Sequence, residues 1–151
     1  MLQRILNELF TAEVGKGAFL NGTKIQISQT VDLSKAFVAL NRGQNAQEKL
    51  RYGKICSLLA GEVRTYRCTG SIATDLCYVA SGRYDAEIIN GCPIHDIAGG
   101  ALLVKEAGAV ILDFEGKESD WEKNVSDEDV NDVIIANKDS ATKSQGFLQG
   151  V

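Results

Sequence analysis

The 151-residue chain is poor in several residue types, and each scarcity excludes something. It holds one histidine, His95, and one proline, Pro93. A lone imidazole rules out histidine-rich metal sites and leaves His95 as the one candidate imidazole base. No GxSxG occurs, so nothing marks a serine hydrolase. The four cysteines, Cys56, Cys68, Cys77 and Cys92, are spaced 12, 9 and 15 residues apart. No CxxC pair occurs among them, whereas a zinc site wants closely paired ligands. They read as small buried thiols in a reducing cytoplasm. No apolar run approaches the roughly 20 residues of a membrane helix. The start, Met1 to Phe10, carries Arg4 and Glu8 and lacks a long apolar stretch with a cleavage site, so no secretory leader is expected. Walker loops and dinucleotide fingerprints are missing too.

Positive charge is also thin. Sixteen cations against twenty anions give a net charge of −4. The most basic patch, Glu62 to Arg67, holds only two arginines. Nucleic-acid binders usually present a basic face, so neither nucleic acid nor a membrane is expected as a partner. What the chain does have is apolar residues, 44% of the total. They suffice for one core, and residues 1–151 read as one domain.

The pattern along the chain alternates strands and helices. Asn21-Gly22 predicts a hairpin turn between Ala18–Leu20 and Lys24–Ile27. Ala36–Leu40 reads as a strand buried on both faces. A helix is predicted from about Asn45 to Ala60, with Leu50, Ile55, Leu58 and Leu59 as its apolar stripe and Gly61 as its stop. Val63–Arg67 is a strand. Thr69-Gly70-Ser71 opens a second helix to about Ala80, capped by Thr69 or Ser71. Tyr84–Ile89 is another strand. Pro93 introduces a third helix to about Ala107, whose small residues Ala98 to Ala101 permit close approach of another element. Ala109–Phe114 is a strand, Glu115–Asn131 a polar surface loop and Val133–Ala136 the last strand. Asp139 is placed to cap a final helix ending near Leu148. The fold class is α/β, a mixed β-sheet with packed helices.

Four features carry possible chemistry. Thr69-Gly70-Ser71 sits at a strand-to-helix junction, where free amides attract anions or are simply capped. His95-Asp96 opens a helix, where Asp96 is either a first-turn acid or a hard oxygen ligand for magnesium. Asp75 reads as a solvated helix-face acid or a site carboxylate. Arg67 reads as a planar fork for an acid or a phosphate, or as a structural ion pair.

In order along the chain, four segments resemble the inositol monophosphatase family of magnesium-dependent sugar-phosphate phosphatases. Phe10–Gly22 is similar to its hairpin, and Arg67–Asp85 to its substrate-contacting strand and helix. His95–Gly100, continuing to Glu106-Ala107-Gly108, is similar to its C-terminal signature. Val133–Asn137 is similar to its last strand. The resemblance implies the C-terminal half of a layered αβαβα fold. The family's Gly-Glu-Glu-type loop and its Asp-Pro-x-Asp-Gly-Thr motif occur nowhere in the 151 residues. These supply most of the family's metal ligands. The chain is therefore expected to be the substrate-side half of a phosphoric monoester hydrolase, inactive alone.

By the same resemblance Asp96 is the metal ligand, for Mg2+ bound only with a complementing N-terminal half. No catalytic residue is assigned. Gly70, Ser71, Ile72, Glu87 and Ile89 are the substrate-binding positions. Ile72 stands where a small residue is usual, Ile89 where many members carry a ring-binding Glu, and His95 where Trp is usual. Glu87 shares a strand face with Ile89. The implied partners are a sugar-phosphate or inositol-phosphate substrate, and either an N-terminal half or a second copy in a dimer. The alternative function is a non-catalytic binding or interaction module derived from the same fold.

Overall fold

The computed structural model describes residues 1–3, 6–119 and 132–148. Strands β1 (Leu2–Gln3), β2 (Glu8–Glu13), β3 (Gly17–Leu20) and β4 (Thr23–Ile25) form an antiparallel sheet in that order. Asn21 and Gly22 both take positive φ, 49° and 80°, at the β3–β4 turn. That is the primed geometry which matches strand twist and which Asn-Gly tolerates.

The remaining elements are β5 (Phe37–Leu40), α1 (Ala46–Glu62), β6 (Thr65–Arg67), α2 (Ile72–Ala80) and β7 (Ala86–Asn90). They are followed by α3 (Ile94–Glu106), β8 (Val110–Asp113), β9 (Asp132–Ala136) and α4 (Lys138–Leu148). Five of the strands make a mixed sheet in the order β6-β5-β7-β9-β8. The pairs β5–β6 and β5–β7 are parallel, while β7–β9 and β8–β9 are antiparallel. Both faces of this sheet are covered. Ile55 and Leu59 of α1 and Ala141 and Leu148 of α4 meet Val38, Leu40, Ile88 and Ile134 on one side. Leu76 and Val79 of α2 and Ile97, Ala101 and Val104 of α3 meet Ile89, Val133 and Ile135 on the other. Phe10 and Ala18 of the small sheet close the outer side of that second cluster. The layers run small sheet, α2 and α3, mixed sheet, α1 and α4.

Alternation along the strands decides which face each residue serves. In β7, Ala86 and Ile88 join the α1–α4 side and Ile89 the α2–α3 side, so all five residues are buried. Small residues in α3 work as expected: a Cβ on Gly100 would lie 2.8 Å from the Cβ of Leu76, so α2 and α3 touch only because Gly100 has none.

Three expectations are corrected. Leu50 is 74% exposed and Glu48 is buried in its place, so the inward face of α1 runs through Glu48, Ile55 and Leu59. Gly61 lies inside α1, and Val63 is the C-cap. Asp139 falls in the first turn of α4, and Asn137 caps it by accepting from the Ser140 amide at 3.0 Å. Most of the predicted 115–131 loop lies outside the described residues.

Asn90 pins the end of β7. It is fully buried; its Nδ2 donates to the Glu48 carbonyl at 2.9 Å and to the Arg42 carbonyl at 3.3 Å, and its Oδ1 accepts from Arg51 Nε at 2.6 Å. Asn90→Ala removes all three contacts and is expected to lower stability by about 2 kcal/mol, read as a lower urea midpoint.

Candidate functional site

Three parallel strands end at one place. After β5 the chain enters α1 on one face of the sheet, and after β6 it enters α2 on the other. That reversal opens a crevice beyond the carboxyl ends of the strands, where ligands of α/β sheets usually bind. A cleft of about 660 Å³ lies there. Asn41, Arg42, Gly43 and Gln44 come from the end of β5, and Cys68, Gly70, Ser71, Ile72 and Ala73 from the end of β6. Gly91 and Cys92 follow β7, Asp96 comes from the first turn of α3, and Tyr52 from α1.

Helix starts border the cleft on three sides. In α1, Asn45 and Glu48 form a reciprocal capping box. In α2 the cap is Ser71, whose Oγ accepts from the Thr74 amide at 3.4 Å. Helix α3 starts after Pro93 with no side-chain cap. The helix dipoles of α2 and α3 favour negative charge in the cleft, whereas at the α1 start the Glu48 carboxylate already takes that place.

Gly70, Ser71, Ile72 and Asp96 are brought together as cleft-lining residues. Glu87 and Ile89 are not. Both are 0% exposed, because β7 is covered on both faces, and their side chains back the wall from inside. Asp75, read as a solvated acid, is 1% exposed. Burial raises the affinity of its carboxyl for a proton, partly offset by the Thr69 hydroxyl that donates to it. Burial and then the nearby Asp75 charge raise that of Glu87 well above the carboxylate range. Among the described residues Arg67 pairs with no acid; its guanidinium donates to Thr65 Oγ1 and the Tyr66 carbonyl, each at 2.7 Å, and lies 5.6 Å from the centre of the Phe37 ring.

Asp96 offers hard oxygens to the cleft. Its side chain is half exposed, and His95 Nε2 stands 3.7 Å from its Oδ1. The Cys92 thiol donates to its Oδ2 over 3.9 Å. Burial, followed by the Asp96 and Glu87 charges, pushes that thiol up to about 12, so it stays protonated. Among the described residues no cluster of three or more His, Cys, Asp or Glu side chains could hold a metal. One carboxylate fits magnesium only as part of a larger ligand set.

The inositol monophosphatase family profile matches residues 2–146. The chain belongs to the inositol monophosphatase family. Among relatives, inositol monophosphatase 3 of Solanum lycopersicum is 46% identical over 121 residues, covering 77% of this chain and 44% of that protein. Nus factor SuhB of Xylella fastidiosa is 41% identical over 116 residues, covering 75% and 42%. The crystal structure of the extragenic suppressor protein suhB of Bartonella henselae matches with a TM-score of 0.85 and 31% identity, over 99% of this chain and 55% of that one. The inositol monophosphatase fold is thus shared, and the chain spans about half the length of the relatives it matches. No described helix is long and apolar enough to cross a membrane.

The cleft residues that sequence reasoning missed are Asn41 to Gln44, Tyr52, Cys68, Ala73, Gly91 and Cys92. The strand-end rule would have found most of them once β5, β6 and β7 were recognised as parallel neighbours.

Proposed function

We propose that this chain is the substrate-side half of a magnesium-dependent phosphatase acting on sugar or inositol phosphate monoesters. The observation that carries the reading is the shared cleft lined by Gly70, Ser71, Ile72 and Asp96 at the starts of two helices. The turn at Gly70 and Ser71 receives the hydroxyl-bearing part of the substrate. Ile72 narrows that region and disfavours a ring packed flat against the helix start. Asp96 supplies one oxygen ligand to Mg2+. Bound magnesium would activate water and neutralise phosphate charge. The other ligands come from a segment outside these 151 residues, on the same polypeptide or on a partner.

The test is phosphate release from an inositol monophosphate with magnesium. The chain alone is expected to release none and to bind magnesium weakly at most. Addition of a family N-terminal half is expected to produce release, and Asp96→Asn in the combined protein to reduce it by about 100-fold or more. Release by the chain alone that survives Asp96→Asn would overturn the assignment.

A further inference from the structure

Two carboxyl side chains lie inside the protein behind one wall of the cleft. Glu87 is on β7 and Asp75 is on α2, which packs over that strand. Among the described residues neither oxygen of Glu87 has a hydrogen-bond partner. Asp75 Oδ1 has none either, while its Oδ2 accepts from Thr69 Oγ1 at 2.7 Å. Thr69 Oγ1 in turn accepts from the Ser71 amide at 3.2 Å. A chain of contacts therefore runs from Asp75 through the Thr69 hydroxyl to the turn that lines the cleft.

Among the described residues no cation compensates the pair. The register partners of Glu87 on β5 and β9 are Ala39 and Ile135. Helix α3 contributes Ile97, Ala101 and Val104 to the same cluster. Tyr84, just before β7, and Cys92, just after it, also feel the Glu87 charge. Helix α1 packs on the opposite face of the sheet, where its Glu48 also bears on Cys92. Arg67 lies in the same cross-strand row, beyond Ala39, but its guanidinium is engaged with Thr65, Tyr66 and Phe37. A buried charge without hydrogen bonds or a counter-ion is strongly disfavoured, so such a group stays neutral. Two like charges in one apolar space are worse still.

We propose that the Asp75–Glu87 pair keeps a proton at pH values where the exposed carboxyls of this chain have lost theirs, and that losing it loosens the Thr69–Gly70–Ser71 turn. The pair is a pH-responsive support under one wall of the cleft, and its members are positioning residues. Repulsion on deprotonation bears first on Asp75, because Glu87 is locked in the middle of the sheet while Asp75 is tied to an exposed turn. The Thr69 hydroxyl contact is the first to give. The pairing stands independently of the phosphatase reading; its consequence for substrate rests on that reading.

The experiment follows side-chain carboxyl carbon shifts and backbone amide shifts of the whole chain by NMR across pH, without substrate. The Glu87 carboxyl is expected to titrate at least about one pH unit above the exposed glutamates, a tenfold higher proton affinity. The amides of Thr69, Gly70 and Ser71 are expected to move with the same midpoint. In Asp75→Asn, which keeps an acceptor for Thr69, the Glu87 midpoint drops but stays above the exposed group. In Glu87→Gln the high-pH movement of the three amides disappears. A Glu87 carboxyl that titrates with the exposed glutamates overturns the proposal, and so do amides at 69–71 that ignore its midpoint. The wild-type titration decides both points even if a variant fails to fold. Because no activity is read, a failure here leaves the phosphatase reading intact, and the phosphate-release assay leaves this proposal intact.

Discussion

Gly91→Ala is expected to destabilise the chain by about 3 kcal/mol, seen as a lower urea midpoint at unchanged slope. Gly91 sits at φ +74°, and a Cβ there would lie 2.6 Å from Glu48 Oε1 and 2.7 Å from Glu48 Cγ. Neither partner can yield. The Glu48 carboxylate is buried and accepts from the Gln44 and Asn45 amides and, at 2.6 Å, from Asn45 Nδ2. The Gly91 amide is held by Asp132 Oδ1 at 2.8 Å. Positive φ alone costs a side chain about 1–2 kcal/mol, and overpacking a filled site about 1–3 kcal/mol more. Gly15→Ala separates the two effects. Gly15 has nearly the same φ, +75°, yet nothing stands within 4 Å of its missing Cβ. It is expected to lose only the backbone share, about 1 kcal/mol. Equal losses in the two variants would show that the Glu48 contact carries nothing.

The second large effect is on pH dependence. Glu87 and Asp75 bind protons more tightly in the folded state than in the unfolded chain, chiefly because they are buried. Their contribution to stability is complete below the unfolded carboxyl range, near pH 4, and is lost as pH rises through their folded values. One such group changes stability by at most about 1.4 kcal/mol per pH unit. The opposite sign belongs to Glu8, held low by the Arg83 guanidinium, and to Glu106, held low by the Gly15 and Gly17 amides. Both lie at the surface, partly exposed, so their contribution is small; it is present above the ordinary range and fades as pH falls. Stability of the wild-type chain is therefore expected to decline from about pH 5 towards neutrality, where most proteins are near their maximum. Glu87→Gln, which mimics the protonated acid, is expected to flatten that decline. Urea unfolding at a series of pH values checks it, and parallel curves for the two proteins would contradict it.

The buried acids also explain what the sequence hid. On α2, Ile72, Leu76 and Val79 mark the inward stripe, and Asp75 falls within it at helical spacing. Residue type argued for solvent and position argued for the core; position prevailed. The same conflict arose on α1, where Glu48 is in and Leu50 is out. There the capping box rewards the carboxylate for facing inward, where it accepts from the Gln44 and Asn45 amides. Glu87 was harder still. A strand covered on both faces has no alternation to read, so nothing distinguished a residue on the cleft surface from one behind it. By contrast the Asn-Gly hairpin, the α2 and α3 starts and the close packing at Gly100 rest on local chemistry, and those were legible. Cleft residues from the end of β5 were not, because they depend on strand order, which is a property of the whole sheet.

Helix α3 has a carboxylate working at each end. Asp96 faces the cleft at its start, and near its end Glu106 accepts from the Gly15 and Gly17 amides, each at 2.8 Å. Thirteen residues make a stiff rod about 20 Å long between them. The tip of the β2–β3 hairpin is thus tethered to the far end of the lever that carries Asp96. The hairpin tip and the cleft carboxylate therefore share one rigid element, with no loop of the cleft between them.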